Sequence, residues 1–134
     1  MFAGCSPTVA VDSQKVFRLN IHENINTLDP AYARDLRSLW AMNQIFNGLV
    51  RLDHKLAIKP DIATHWEISD DAKTYFFYLR DDAYFHESEI FGDQQTRTVT
   101  ASDFVYSFDR LRDKTIASPG LWTLESVKSY EAID

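Results

Sequence analysis

Hydrophobic and polar positions along this chain fall into short periodic blocks. In residues 16–21, Phe17, Leu19 and Ile21 alternate with Val16, Arg18 and Asn20, which predicts a half-buried strand. A polar loop over 22–26 leads into Thr27-Leu28-Asp29-Pro30. The proline pushes its predecessor out of the helical region, so this tetrapeptide reads as a turn. Leu39, Met42, Phe46 and Leu49 then form one stripe at helical spacing, widened by Ile45 and Val50. That predicts a helix over 38–48, started by Ser38 or Asp35 and ended by Gly48 in the left-handed conformation. Residues 51–53 read as a short strand running into a turn at Asp53-His54-Lys55. Residues 67–69 and 73–80, joined by Asp70-Asp71-Ala72, predict an antiparallel hairpin. In its second arm Tyr75, Phe77 and Leu79 share one face and Phe76 and Tyr78 the other, so burial on both faces is expected.

The strongest local signal is T-V-T-A-S-D-F-V-Y-S-F-D-R-L, residues 98–111. Thr100 stands at the N-cap and Asp103 three residues later, the spacing of a capping box. Val99 and Phe104 are placed to form a hydrophobic staple, and Phe104, Val105, Phe108 and Leu111 fall on one face. By itself this describes a well-capped amphipathic helix in any α/β domain. Residues 87–97 read as a polar surface loop containing Gly92, and the alternation over 126–133 predicts the start of a strand.

Composition narrows the class. With 134 residues, 45% of them hydrophobic, and nine Phe, six Tyr and three Trp, the chain is too aromatic for disorder and fits one globular domain. A net charge of −6 with no basic cluster argues against a nucleic-acid partner. No apolar run approaches the ~20 residues of a membrane-spanning helix. The one cysteine, Cys5, leaves no internal disulfide and no cysteine-based zinc site. No nucleophile elbow, phosphate-binding glycine loop or His-Glu-x-x-His motif occurs, so no catalytic site is expected. His86, Glu87 and Glu89 make the densest ligand-like group, read here as a solvated loop. Metal sites need three or four converging ligands, so neither metal nor cofactor is expected.

Five blocks in order carry a resemblance: Leu28-Asp29-Pro30; residues 44–50, Q-I-F-N-G-L-V; residues 59–66, K-P-D-I-A-T-H-W; residues 78–86, Y-L-R-D-D-A-Y-F-H; and residues 99–110, V-T-A-S-D-F-V-Y-S-F-D-R. Together they resemble the family 5 extracellular solute-binding proteins, the peptide-, dipeptide- and nickel-binding receptors of ABC importers. The loop over 87–97 departs from the family, which usually passes there through an Asp-Gly-x-Pro turn, and looks like a surface insertion. The resemblance implies a mixed α/β fold, the N-terminal part of lobe I of a two-lobed periplasmic-binding-protein-like (type II) architecture, over residues 16–134. Residues 1–15 would be a lipoprotein-like start and polar tether, because Phe-Ala-Gly-Cys resembles the end of a lipoprotein signal, with Cys5 as the lipidated residue. A basic and apolar region upstream would complete such a signal.

The implied function is capture of a peptide or similar small solute outside the cytoplasmic membrane, in the periplasm or at the cell surface, for delivery to permease subunits. The implied ligand-binding positions are Arg34, Asp35 and Leu36 in one segment and Ser118, Gly120 and Trp122 in another. Peptide-binding members often carry an acidic residue in the first segment and an aromatic one just after Ser-Pro; Arg34 and Gly120 occupy those places here. Arg34 suits a two-pronged pair with a ligand carboxylate, and equally suits a surface position. The alternative is a small self-contained α/β interaction module with no transport role.

Overall fold

The computed structural model describes residue 20 and residues 24–133. Cys5, the tether and nearly all of the expected first strand lie outside the described residues. Within them the chain forms two helices, α1 (Leu36–Met42) and α2 (Ala101–Arg112), and four strands, β1 (Val50–Leu52), β2 (Ile58–Pro60), β3 (Ala63–Ile68) and β4 (Tyr75–Leu79). Three short 3-10 turns, at Pro30–Tyr32, Glu89–Gln94 and Leu121–Leu124, complete the order.

α1 starts where Asp35 caps it: its carboxylate accepts the Ser38 N–H at 3.0 Å and the Ser38 hydroxyl at 2.9 Å. The helix ends at Met42, earlier than its apolar stripe predicts. Beyond it the N–H groups of Gln44 and Ile45 bond the carbonyls three residues back, tightening the end into a 3-10 turn. Gly48 is not left-handed. It is needed for proximity instead, since a Cβ there would stand 3.1 Å from the Val50 carbonyl oxygen.

The strands pair as two antiparallel hairpins, β1 with β2 and β3 with β4. β2 has no counterpart in the expected elements; Asp53 creates it by turning the chain, its carboxylate accepting the N–H groups of Lys55 at 2.8 Å and Ala57 at 3.0 Å. The hairpins are stitched together by Ala63 N–H to Leu49 carbonyl at 2.9 Å and Arg80 N–H to Ile62 carbonyl at 3.0 Å. Ala63 at that junction is fully buried. The turn between β3 and β4 forms as expected around Ser69 and Asp71, with Ala72 left-handed.

Two expectations fail. The second arm of the hairpin is not buried on both faces: Phe76 and Phe77 are 44% and 37% exposed, because no described layer covers either side. Residues 127–133 form no strand either, since a strand needs a partner for its backbone groups and none lies alongside among the described residues. That tail runs along α2 instead, where the Tyr130 hydroxyl donates to Asp109 at 2.8 Å and its ring meets Phe108 edge-on at 5.2 Å.

α2 forms with the expected cap. Thr100 and Asp103 make the capping box, the Asp103 carboxylate accepting the Thr100 N–H at 2.8 Å. Phe104, Val105, Phe108 and Leu111 are half-buried along one side, while Ser102, Tyr106 and Asp109 face solvent. The polar loop before α2 is ordered at its base. Phe85 N–H donates to the Arg97 carbonyl at 3.0 Å, and Val99 N–H to the Ala83 carbonyl at 2.8 Å. The Arg97 guanidinium lies over the Phe85 ring at 4.6 Å and the Phe91 ring at 5.9 Å and forks onto Asp103.

Candidate functional site

Both segments singled out in the sequence are mounted on α2. The first begins at Asp29. Its carboxylate caps the 3-10 turn Pro30–Tyr32 by accepting the Ala31 N–H at 3.0 Å, and Pro30 supplies the fixed φ of a first helical position. The same carboxylate takes the Arg110 fork of α2, Nη1 to Oδ1 at 2.9 Å and Nη2 to Oδ2 at 2.8 Å. That pair holds the Asp29 carboxyl below its usual range, aided by the Ala31 bond and opposed by partial burial. Ala31 is buried, and from it the chain runs outward through Tyr32 and Arg34, both exposed.

Asp35 is turned inward. Its carboxyl falls to about 2, first through the Ser38 N–H bond, then through Asn26 and the Ser38 hydroxyl. Ser38 is fully buried beneath it, while Leu36 is 60% exposed. Of the three expected residues here, Arg34 and Leu36 therefore present side chains to solvent, and Asp35 builds the turn that presents them.

The second segment follows α2. Ser118 is buried, and its Oγ accepts the Gly120 N–H at 3.1 Å, which folds the chain into the turn Leu121–Leu124. Thr123 closes the turn by donating to the Gly120 carbonyl at 2.8 Å. Leu124 is buried against the helix side, whereas Trp122 is 71% exposed. Arg112 holds the exit of this segment by donating to the carbonyls of Leu124 and Val127, with its guanidinium 4.9 Å from the Tyr130 ring.

The two segments thus present an exposed guanidinium and an exposed indole on short backbone turns, and among their described residues no nucleophile stands beside a base. Two open depressions lie elsewhere, one along Pro60, Asp61, Thr64 and Arg80, the other along Glu87, Ser88 and Gln95. Both are wide open and neither contains an expected site residue, so the mounting on α2 carries more weight. Sequence reading missed Asp29, Arg110 and Arg112 as the residues that position these segments. Asp29 and Arg110 both lie inside quoted motifs, but nothing local links residues 81 apart.

Residues 57–134 match the family model described as bacterial extracellular solute-binding proteins, family 5, middle region. The periplasmic murein peptide-binding protein MppA of Escherichia coli K12 is 35% identical over 96% of this chain and 22% of its own length. The solved structure of DppA from Helicobacter pylori, an ABC transporter-associated periplasmic binding protein in complex with the peptide STSA, superposes with a TM-score of 0.67 and 33% identity, over 80% of this chain and 23% of that one. NikZ from Campylobacter jejuni, in complex with Ni(L-His), superposes with a TM-score of 0.66 and 28% identity, over 84% of this chain and 21% of that one. The chain thus spans about a fifth of the length of these relatives.

Proposed function

The chain belongs to the family 5 bacterial extracellular solute-binding proteins, and on that premise we propose that it forms the N-terminal part of the first lobe of a receptor that captures peptides or similar small solutes for an ABC importer. The observation that supports this reading is the common contact of the turns Pro30–Tyr32 and Leu121–Leu124 with α2, with Arg34 and Trp122 nearby in the chain and exposed. Arg34 meets a ligand carboxylate with its planar fork, and Trp122 offers an apolar platform. Leu36 and the backbone around Gly120 complete the surface, and Asp35 and Ser118 act through the turns they hold. The mechanism is capture by hinge closure of two lobes, the closed form being what the permease subunits recognise. The exposed faces of β4 are covered, in this reading, by the remainder of the lobe.

Peptide as ligand is supported by the relatives named for peptides, MppA and DppA. We place the receptor in the periplasm or at the cell surface, tethered through residues 1–15 by lipid on Cys5. The test begins with the gene. The reading frame is followed on both sides of this chain, and the encoded protein is titrated by calorimetry with di- and tripeptides. The expected result is a frame several-fold longer whose product binds at least one of these peptides. A frame that stops at Asp134, or a full-length product that binds none of the peptides, would overturn the reading. Detergent partitioning of the protein from envelope fractions, compared with its Cys5→Ser variant, decides the anchor.

A further inference from the structure

Three consecutive residues at the end of α2 reach the two arms of the surface just described. Arg110 forks onto the Asp29 carboxylate. Leu111 lies beneath Gly120, its Cδ2 standing 3.4 Å from where a Cβ on that glycine would be. Arg112 holds the carbonyls of Leu124 and Val127. Successive helical residues are turned by about 100° and raised by about 1.5 Å. One turn of one helix therefore sets where both arms stand.

We propose that Arg110 is a positioning residue for ligand recognition, and that the last turn of α2 fixes the separation of the first arm, which carries Arg34, from the second, which carries Trp122. This rests on the reading of these arms as a binding surface. The Asp29 carboxylate is the pivot. Its Oδ1 takes both the Ala31 N–H and an Arg110 nitrogen, so the start of the 3-10 turn and the helix grip the same atom. Arg34 follows five residues on, with no element between the 3-10 turn and α1 to correct a misplacement. Freeing the Asp29 anchor leaves Arg34 held from one side only, by the Asp35 cap of α1. Arg110 lies only partly exposed, at 30%, and Asp29 at 35%, so the pair is sheltered enough to keep its geometry. Lysine at 110 would keep the charge and lose the fork, because an ammonium cannot meet both carboxylate oxygens in one plane.

The experiment uses the full-length protein that carries this chain, with two probes, tri-L-alanine and tri-L-alanine amide. Wild type is expected to prefer the free acid, through Arg34. Arg110→Lys and Asp29→Asn are each expected to lower affinity for the acid by 5- to 20-fold, to shrink its preference over the amide, and to be no worse in combination. Arg112→Lys, which loosens the other arm, is expected to weaken both probes alike. A purely structural role for Arg110 would lower the melting temperature and leave the acid-to-amide ratio alone. Folded Arg110→Lys and Asp29→Asn proteins that keep the wild-type ratio overturn the proposal. If wild type binds neither probe, the functional reading falls separately, and hydrogen exchange decides the positioning role. Exchange accelerated tenfold or more at the Ala31 and Tyr32 amides in Arg110→Lys, with the α2 amides at wild-type rates, upholds it, and wild-type rates at Ala31 and Tyr32 refute it. Should Arg110→Lys not fold, Asp29→Asn carries the same comparisons.

Discussion

Replacing Asp103 by alanine removes two things at once from the start of α2: the acceptor for the Thr100 N–H and the carboxylate clasped by Arg97. Those contacts, the Arg97 bond first, bring the Asp103 carboxyl from the ordinary 3.8 down to about 2. A displacement of that size corresponds to roughly 2.5 kcal/mol between its two protonation states. The Asp103 side chain is only 22% exposed, but its partner Arg97 is 44% exposed, so solvent and salt screen the pair and about 1 kcal/mol survives. Loss of an N-terminal cap contributes about 1 kcal/mol on its own, overlapping with the first figure through the Thr100 bond. The expected cost is therefore about 1–2 kcal/mol, or roughly 5- to 30-fold in an opening equilibrium. Amide hydrogen exchange across Ala101–Arg112 reads that change directly, because it reports local opening even inside a larger folded protein. The sign with pH follows from the depressed carboxyl. Its stabilisation is full above the unfolded value and is lost as pH falls from about 5 towards 2. Wild type should show accelerating exchange in α2 over that window after correction for intrinsic rates, and Asp103→Ala should lack that component. Exchange altered less than twofold at neutral pH, or an acid response unchanged in the variant, would refute the reasoning.

Other substitutions probe the turns. Gly48→Ala forces a Cβ against the Val50 carbonyl, which is backbone and cannot swing aside, and should destabilise the β1–β2 hairpin by about 1 kcal/mol or more, read as faster exchange at Asp53 and Ala63. Gly92 sits at φ 63° and ψ −140°, a region nearly closed to other residues, so Gly92→Ala should strain the loop tip by about 1–3 kcal/mol. Limited proteolysis should then cut within Glu89–Gln94 while the exchange of α2 stays at wild-type rates. Ser118→Ala leaves the Gly120 N–H without its acceptor and should cost about 1 kcal/mol, seen as earlier exchange at Gly120 and Thr123.

What could be read from the sequence was local. The start of α2, its Thr100 and Asp103 cap and the turn at Asp70-Asp71-Ala72 each depend on residues within about five positions of one another, and all appear where expected. The blocks that carry the family resemblance are likewise contiguous. The misses need partners distant in sequence. The tail over 127–133 has the alternation of a strand but no strand neighbour among the described residues, and Phe108 and Asp109 draw Tyr130 onto the helix instead. α1 stops short because an apolar stripe records which side faces the interior and says nothing of where backbone bonding changes from four residues to three. At the candidate surface the legible part was the identity of the exposed groups. The scaffold was hidden, because Asp29 with Arg110, and Arg112 with the Val127 carbonyl, meet only once the chain has folded around α2.

The loop between Phe85 and Arg97 has a practical consequence. Its base is closed by backbone bonds, the Arg97 guanidinium rests on Phe85 at the base and Phe91 in the turn, and Ile90 at the tip is 83% exposed. A change confined to Ile90 spares the Arg97–Asp103 clasp, whereas one at Phe91 removes a ring from beside it. A label placed at Ile90 therefore gives a handle on the protein that leaves the capping residues of α2 untouched.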